Sequence, residues 1–151
     1  GSAHNVIDDK VILSGTVRTF KKNIRKDIEK KIKETAIGIS KANGANAEII
    51  YTNKYPPTIN TKKESIFSSD VAKELVGSEN VHMEIDPSMG GEDFSYYLKK
   101  KPGCFFFVGS APNEKELFET PHHCSHFTMD ERALLVGPSI YLNLLDNIMG
   151  V

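Results

Sequence analysis

The sequence has no tryptophan and only two cysteines, Cys104 and Cys124, too few for a disulfide framework. Two such thiols suit a reducing compartment, and a cytoplasmic location is expected. No uninterrupted apolar stretch approaches the roughly 18 residues of a membrane helix. No charged-then-apolar signal segment opens the chain. Neither sign of charge dominates: 19 Lys and Arg against 20 Asp and Glu leave a formal net charge of -1. That balance gives no support for a nucleic-acid or anionic-membrane partner. Internal repeats and low-complexity linkers are absent. What is present, 39% hydrophobic and 26% charged over 151 residues, is the composition of one ordinary globular domain or two small ones. A chain of that size can bury roughly 70% of its unfolded surface, so a core is possible.

The first segment, residues 5–20, reads as strand. Val11, Leu13 and Val17 fall on one face, and Ile12, Ser14, Thr16 and Arg18 on the other. Asp8-Asp9 interrupts the pattern, and Gly15 weakens it. A helix follows over about 23–43. Ile24, Ile28, Ile32, Ala36 and Ile39 recur near helical spacing. Asn23 is its expected cap, and Asn43-Gly44 its left-handed stop. Residues 45–55 alternate as a strand, with Ala47, Ile49 and Tyr51 on one side. Strand, helix and strand in that order form half of a small α/β sandwich.

Tyr55-Pro56-Pro57-Thr58-Ile59-Asn60 is a proline-stiffened stretch that marks a boundary between two structural units. Beyond it, residues 64–76 read as a short amphipathic helix ended by Gly77. Val81, Met83 and Ile85 alternate as a strand. A glycine-rich loop over 87–92 leads into a short helix over 93–101, stopped by Pro102-Gly103. Cys104 to Val108 is a continuous apolar run, as in a fully buried strand. Thr128 with Glu131 three residues on is a capping-box signature for the last helix, which Gly137-Pro138 should kink or divide.

Three stretches carry chemistry. In Pro121-His122-His123-Cys124-Ser125-His126-Phe127, three histidines and a thiol offer ligands suited to zinc. Adjacent histidines point in different directions, and no second Cys/His pair completes a closed site. Surface histidines and a small stand-alone zinc module at residues 122–126 are both open readings. In Met89-Gly90-Gly91-Glu92-Asp93, the glycines allow close approach of a ligand to the backbone. The two carboxylates suit acid–base work, or equally the positive end of a helix. No Gly-Lys-Ser/Thr follows, so this is not a phosphate loop. Arg18, near Asn5, can grip a carboxylate with its two-pronged donor geometry, or stand solvated on the surface. No Ser-His-Asp arrangement is evident, and Cys124 beside its histidines does not define a thiol nucleophile.

Taken in order, several blocks form a pattern. They are Asn5-Val6-Ile7-Asp8, Ser14 to Phe20, Tyr55 to Asn60, Met89 to Phe94, Pro102 to Gly109, and His123 four residues before Phe127. Asp130-Glu131 and Ala133-Leu134 follow. The chain resembles the C-terminal part of a zinc amidohydrolase. The group is the aminoacylase, hippurate hydrolase and auxin-conjugate hydrolase branch of the carboxypeptidase-type metallopeptidases. The resemblance runs from Asn5 to about Ile148.

It implies a partial lid (dimerisation) α/β sandwich over residues 1–60 and the C-terminal part of a metallopeptidase-type α/β catalytic domain over 61–151. It implies two divalent metal ions, usually zinc, in the full-length parent, with His123 as the last metal ligand and His122 as its adjacent alternative. Ser125 stands where the family often has proline. Asn5 and Arg18 match the lid pair that holds the substrate's free carboxylate, and Gly90 and Gly91 match the loop lining that pocket. The substrate implied is an N-acyl amino acid, and the partner a second copy bound through the lid. The chemistry implied is attack on the acyl carbon by a metal-activated water.

The family's other ligands, a His-x-Asp-type motif and a Glu-Glu pair that includes the general base, lie upstream of this segment. The chain is therefore expected to be a fragment of a longer enzyme, unable to hold zinc stably and inactive by itself. A non-catalytic binding or regulatory module is the alternative.

Overall fold

The structure, a computed structural model, describes residues 3–112 and 123–150. Four α-helices account for most of the regular structure: α1 (Lys22–Ala42), α2 (Lys62–Val76), the single turn α3 (Ser95–Leu98) and α4 (Ala133–Met149). A 3-10 turn, Ser78–Asn80, follows α2. The chain divides into two compact units. One is Gly1–Pro57 with Met89–Gly91, and the other is Thr58–Ser88 with Glu92–Val151.

The α/β expectation is corrected: among the described residues all regular structure is helical and none is strand. Alternation states which side chains would share a face. A strand also needs a second backbone to supply the ladder, and no ladder forms among the described residues. The consequence is visible at Val11 and Ile12, each 77% exposed, and Leu13, 95% exposed. Both faces of that stretch meet water.

In the first unit, α1 forms where expected, and the covered side only partly overlaps the expected apolar face, of which Ile28 and Ala36 are half-buried. Ile24, Ile32 and Ile39 stay exposed, whereas Arg25, Glu29, Lys33, Ala36 and Ser40 are half-buried. Arg25, Glu29 and Lys33 are spaced i, i+4, i+8 on one helix face. Arg25 donates to the carbonyls of Tyr55 and Lys54, both at 3.0 Å. Glu29 accepts from Asn53 Nδ2 at 2.9 Å. The Lys33 ammonium lies 5.8 Å from the centre of the Tyr51 ring. The partners are alternate residues because the two repeats match: four helical residues rise about 6.0 Å, and two residues of extended chain about 6.6 Å. Asn23 does not cap α1. Lys21 occupies that position with no side-chain bond. At the other end Gly44 takes φ +74°, the left-handed stop.

In the second unit, α2 packs against α4 and the 3-10 turn. Val71 of α2 and Ile140 of α4 are the buried apolar side chains among the described residues. The apolar run 104–108 is not fully buried, and no strand contains it. A side chain takes the place of a ladder partner: Asn60 Oδ1 accepts the Phe105 N–H at 2.8 Å, and Asn60 Nδ2 donates to the Phe105 carbonyl at 2.7 Å. Thr61 Oγ1 likewise accepts the Gly103 N–H at 2.7 Å. The aromatic contacts alternate. Phe105 lies 5.8 Å from Phe94 and 5.2 Å from Phe107, while Phe106 lies 5.6 Å from Tyr141 of α4.

α4 begins at Ala133, after the expected Thr128–Glu131 capping box. Asp130 supplies the turn instead, its Oδ1 accepting the Arg132 N–H at 2.9 Å. The helix runs on through Pro138.

Candidate functional site

Two of the expected site residues meet in the first unit. A β-carbon on Gly91 would lie 3.2 Å from Arg18 Nη1 and 3.5 Å from Tyr55 Cδ2. The glycine leaves the backbone bare where a guanidinium and a ring approach it. Arg18 is exposed, and no hydrogen bond or ion pair among the described residues occupies its guanidinium. Its planar fork of N–H donors is therefore available to a carboxylate. Gly90 is the exposed neighbour of Gly91 in the same loop. Asn5 is also exposed, in the turn closed by Val6 N–H donating to Ala3 O at 3.1 Å. No hydrogen bond ties it to Arg18.

Glu92 is used locally. Its Oε1 accepts the Phe94 N–H at 3.2 Å, and Ser95 Oγ, buried, donates to its carbonyl at 2.7 Å. The carboxylate thus caps the turn into α3. The helix expected over 93–101 shrinks to Ser95–Leu98.

His123 is exposed and has φ +65°, the only non-glycine residue with positive φ among those described. Histidine is one of the side chains tolerated there, at some backbone cost. Cys124 is a half-buried free thiol, and His126 is exposed. His122 lies outside the described residues. Among the described residues, no group of three or more His, Cys, Asp or Glu side chains is gathered so as to hold a metal ion. His123, Cys124 and His126 alone do not fit a complete metal site.

Residues 4–147 match peptidase family M20/M25/M40. The chain belongs to that family. YhaA of Bacillus subtilis (strain 168) is 38% identical over 136 residues, 90% of this chain and 34% of that protein. The IAA-amino acid hydrolase ILR1-like 4 of Arabidopsis thaliana is 32% identical over 148 residues, 95% of this chain and 33% of that protein. The N-acetylcysteine deacetylase of B. subtilis (strain 168) is 35% identical over 144 residues, 95% of this chain and 36% of that protein. The chain thus spans about a third of the length of the curated relatives it matches. No solved structure matches. No described helix is long and apolar enough to cross a membrane.

Two carboxylates of this M20/M25/M40 chain are shifted. The side-chain bond from Arg132, then the Arg132 backbone N–H, hold Asp130 below its ordinary range. Glu29 is lowered first by Lys33 and then by Asn53. Asp130 is bonded within its own turn, whereas Glu29 joins α1 to Asn53. Tyr55, beside Gly91, and Arg25, which bonds the Tyr55 carbonyl, are not among the site residues that the sequence marks. The available signals were the aromatic directly before Pro56-Pro57 and the i, i+4, i+8 spacing from Arg25 to Lys33.

Proposed function

We propose that this chain is the carboxylate-recognising portion of a metal-dependent amidohydrolase that cleaves the amide bond of N-acyl amino acids. The observation that carries the reading is the unpartnered Arg18 guanidinium against the bare Gly91 backbone. In this reading Arg18, with Asn5 and the Gly90-Gly91 loop, grips the free carboxylate. That anchors the substrate in the site with binding shared by the bound substrate and the transition state, without any chemical role for the arginine.

Residues 1–60 act as a lid that pairs two subunits, and residues 61–151 as the C-terminal part of the catalytic domain. His123 contributes one ligand to a pair of metal ions, zinc by preference. The described residues do not fit a complete metal site, so hydrolysis needs ligands and a base from a chain of family length. The relatives named as an IAA-amino acid hydrolase and an N-acetylcysteine deacetylase support this substrate class.

The test compares hippurate with its terminal carboxamide as substrates of a family-length polypeptide carrying these residues. Hippurate should be cleaved and the carboxamide should lose roughly 30-fold or more in kcat/KM, as expected when a charged partner is removed. Equal cleavage of both would overturn the reading. The 151-residue chain alone should cleave neither.

A further inference from the structure

We propose that Arg25 is a positioning residue for the Arg18 site, acting through the backbone that it holds at Tyr55. The inference rests on the reading of Arg18 as the carboxylate grip. Arg25 is half-buried, and both of its terminal nitrogens are committed, Nη1 to the Tyr55 carbonyl and Nη2 to the Lys54 carbonyl, each at 3.0 Å. Pro56 and Pro57 follow directly. A residue before proline is confined to extended backbone, and proline fixes its own φ. Tyr55 therefore has few alternative conformations, and the two carbonyl bonds hold it in one. Its ring edge then stands 3.5 Å from the Gly91 β-position, beside the Arg18 nitrogen at 3.2 Å.

The Tyr55 ring edge and the Arg18 nitrogen thus crowd the same backbone position at Gly91. Arg25 reaches no ligand. Its loss frees two carbonyls and lets the Tyr55 ring shift away from the Gly91 backbone beside Arg18. Lysine can replace the charge, but its single ammonium lacks the fork that spans two carbonyls. Glu29 and Lys33 continue the same stripe towards Asn53 and Tyr51, farther along the chain from Tyr55. They serve as controls for general loosening.

The experiment titrates hippurate into the 151-residue chain and follows binding by NMR, with thermal unfolding measured in parallel. Arg18→Ala should abolish binding. Arg25→Ala should weaken it roughly tenfold, about 1.4 kcal/mol of binding. Arg25→Lys should recover part of that loss. Lys33→Ala should lower thermal stability as Arg25→Ala does, yet bind hippurate as the parent does. If Arg25→Ala binds normally while Arg18→Ala does not, the role of Arg25 is overturned and the carboxylate reading stands. If Lys33→Ala weakens binding as much as Arg25→Ala, the effect is general loosening, which also overturns that role. If the parent does not bind hippurate, or Arg18→Ala binds as well as the parent, the carboxylate reading fails and the inference with it.

Discussion

Arg18 Nη1 lies 3.2 Å from the place a β-carbon on Gly91 would occupy, nearer than ordinary van der Waals contact. The obstacle is the far end of a flexible, exposed side chain rather than backbone. Gly91→Ala should therefore change stability by less than about 0.5 kcal/mol, as surface substitutions usually do. It should still shift the guanidinium and raise KM for an N-acyl amino acid several-fold in a family-length enzyme, with kcat little changed. Urea unfolding and steady-state kinetics check the two halves separately.

The side-chain amide of Asn60 makes both hydrogen bonds that a neighbouring strand would make to Phe105. Asn60→Ala should cost about 1–2 kcal/mol in urea unfolding, since both bonds are lost at a partly wet site. Asn60→Asp should cost more at neutral pH, because it sets a carboxylate against the Phe105 carbonyl.

Asp130 titrates below its ordinary value of 3.8 because Arg132 bonds its carboxylate. The folded state binds that proton less readily than the unfolded state does. Its stabilising contribution is thus present above the unfolded value and is lost as the pH falls towards the folded one. Asp130→Asn should be less stable than the parent at pH 6, and the gap should close on acidification below about pH 4. Chemical unfolding of both proteins across that range measures it. A gap that stays constant would show that Arg132 does not depend on the charge.

His123 holds φ +65°. His123→Gly should raise stability by about 1 kcal/mol, the scale of the left-handed penalty for a residue with a β-carbon. It should also abolish hydrolysis in a family-length enzyme. His123→Ala should abolish activity without the stability gain. Unfolding curves separate the backbone effect from the ligand effect.

Local signals were legible and non-local ones were not. The span of α1 could be read from its lysines, glutamates and isoleucines, and its stop from Asn43-Gly44. Which side of α1 is covered could be read only in part: Ile28 and Ala36 of the apolar face are half-buried, while Ile24, Ile32 and Ile39 stay exposed. The contacts made by Arg25, Glu29 and Lys33 depend on where residues 51–55 run. The alternation at 11–17 and the apolar run at 104–108 predict strands. Alternation fixes side-chain direction, and the Phe105 and Phe106 contacts do point to opposite sides. It does not provide a partner backbone. Thr128 and Glu131 match a capping signature, but α4 starts at Ala133 and Asp130 makes the bond that sets the turn. Arg18 and the glycine loop were each visible in the sequence. Their meeting, with Tyr55 beside them, is a matter of tertiary structure.

The most direct measurement is the kinetics of Arg18→Ala in a family-length enzyme with an N-acyl amino acid as substrate. Loss of a two-pronged, charge-assisted grip is worth about 2–3 kcal/mol, so KM should rise roughly 30- to 150-fold while kcat stays within a few-fold. An unchanged KM, or a collapse of kcat at constant KM, would contradict the assignment of Arg18 to the substrate carboxylate.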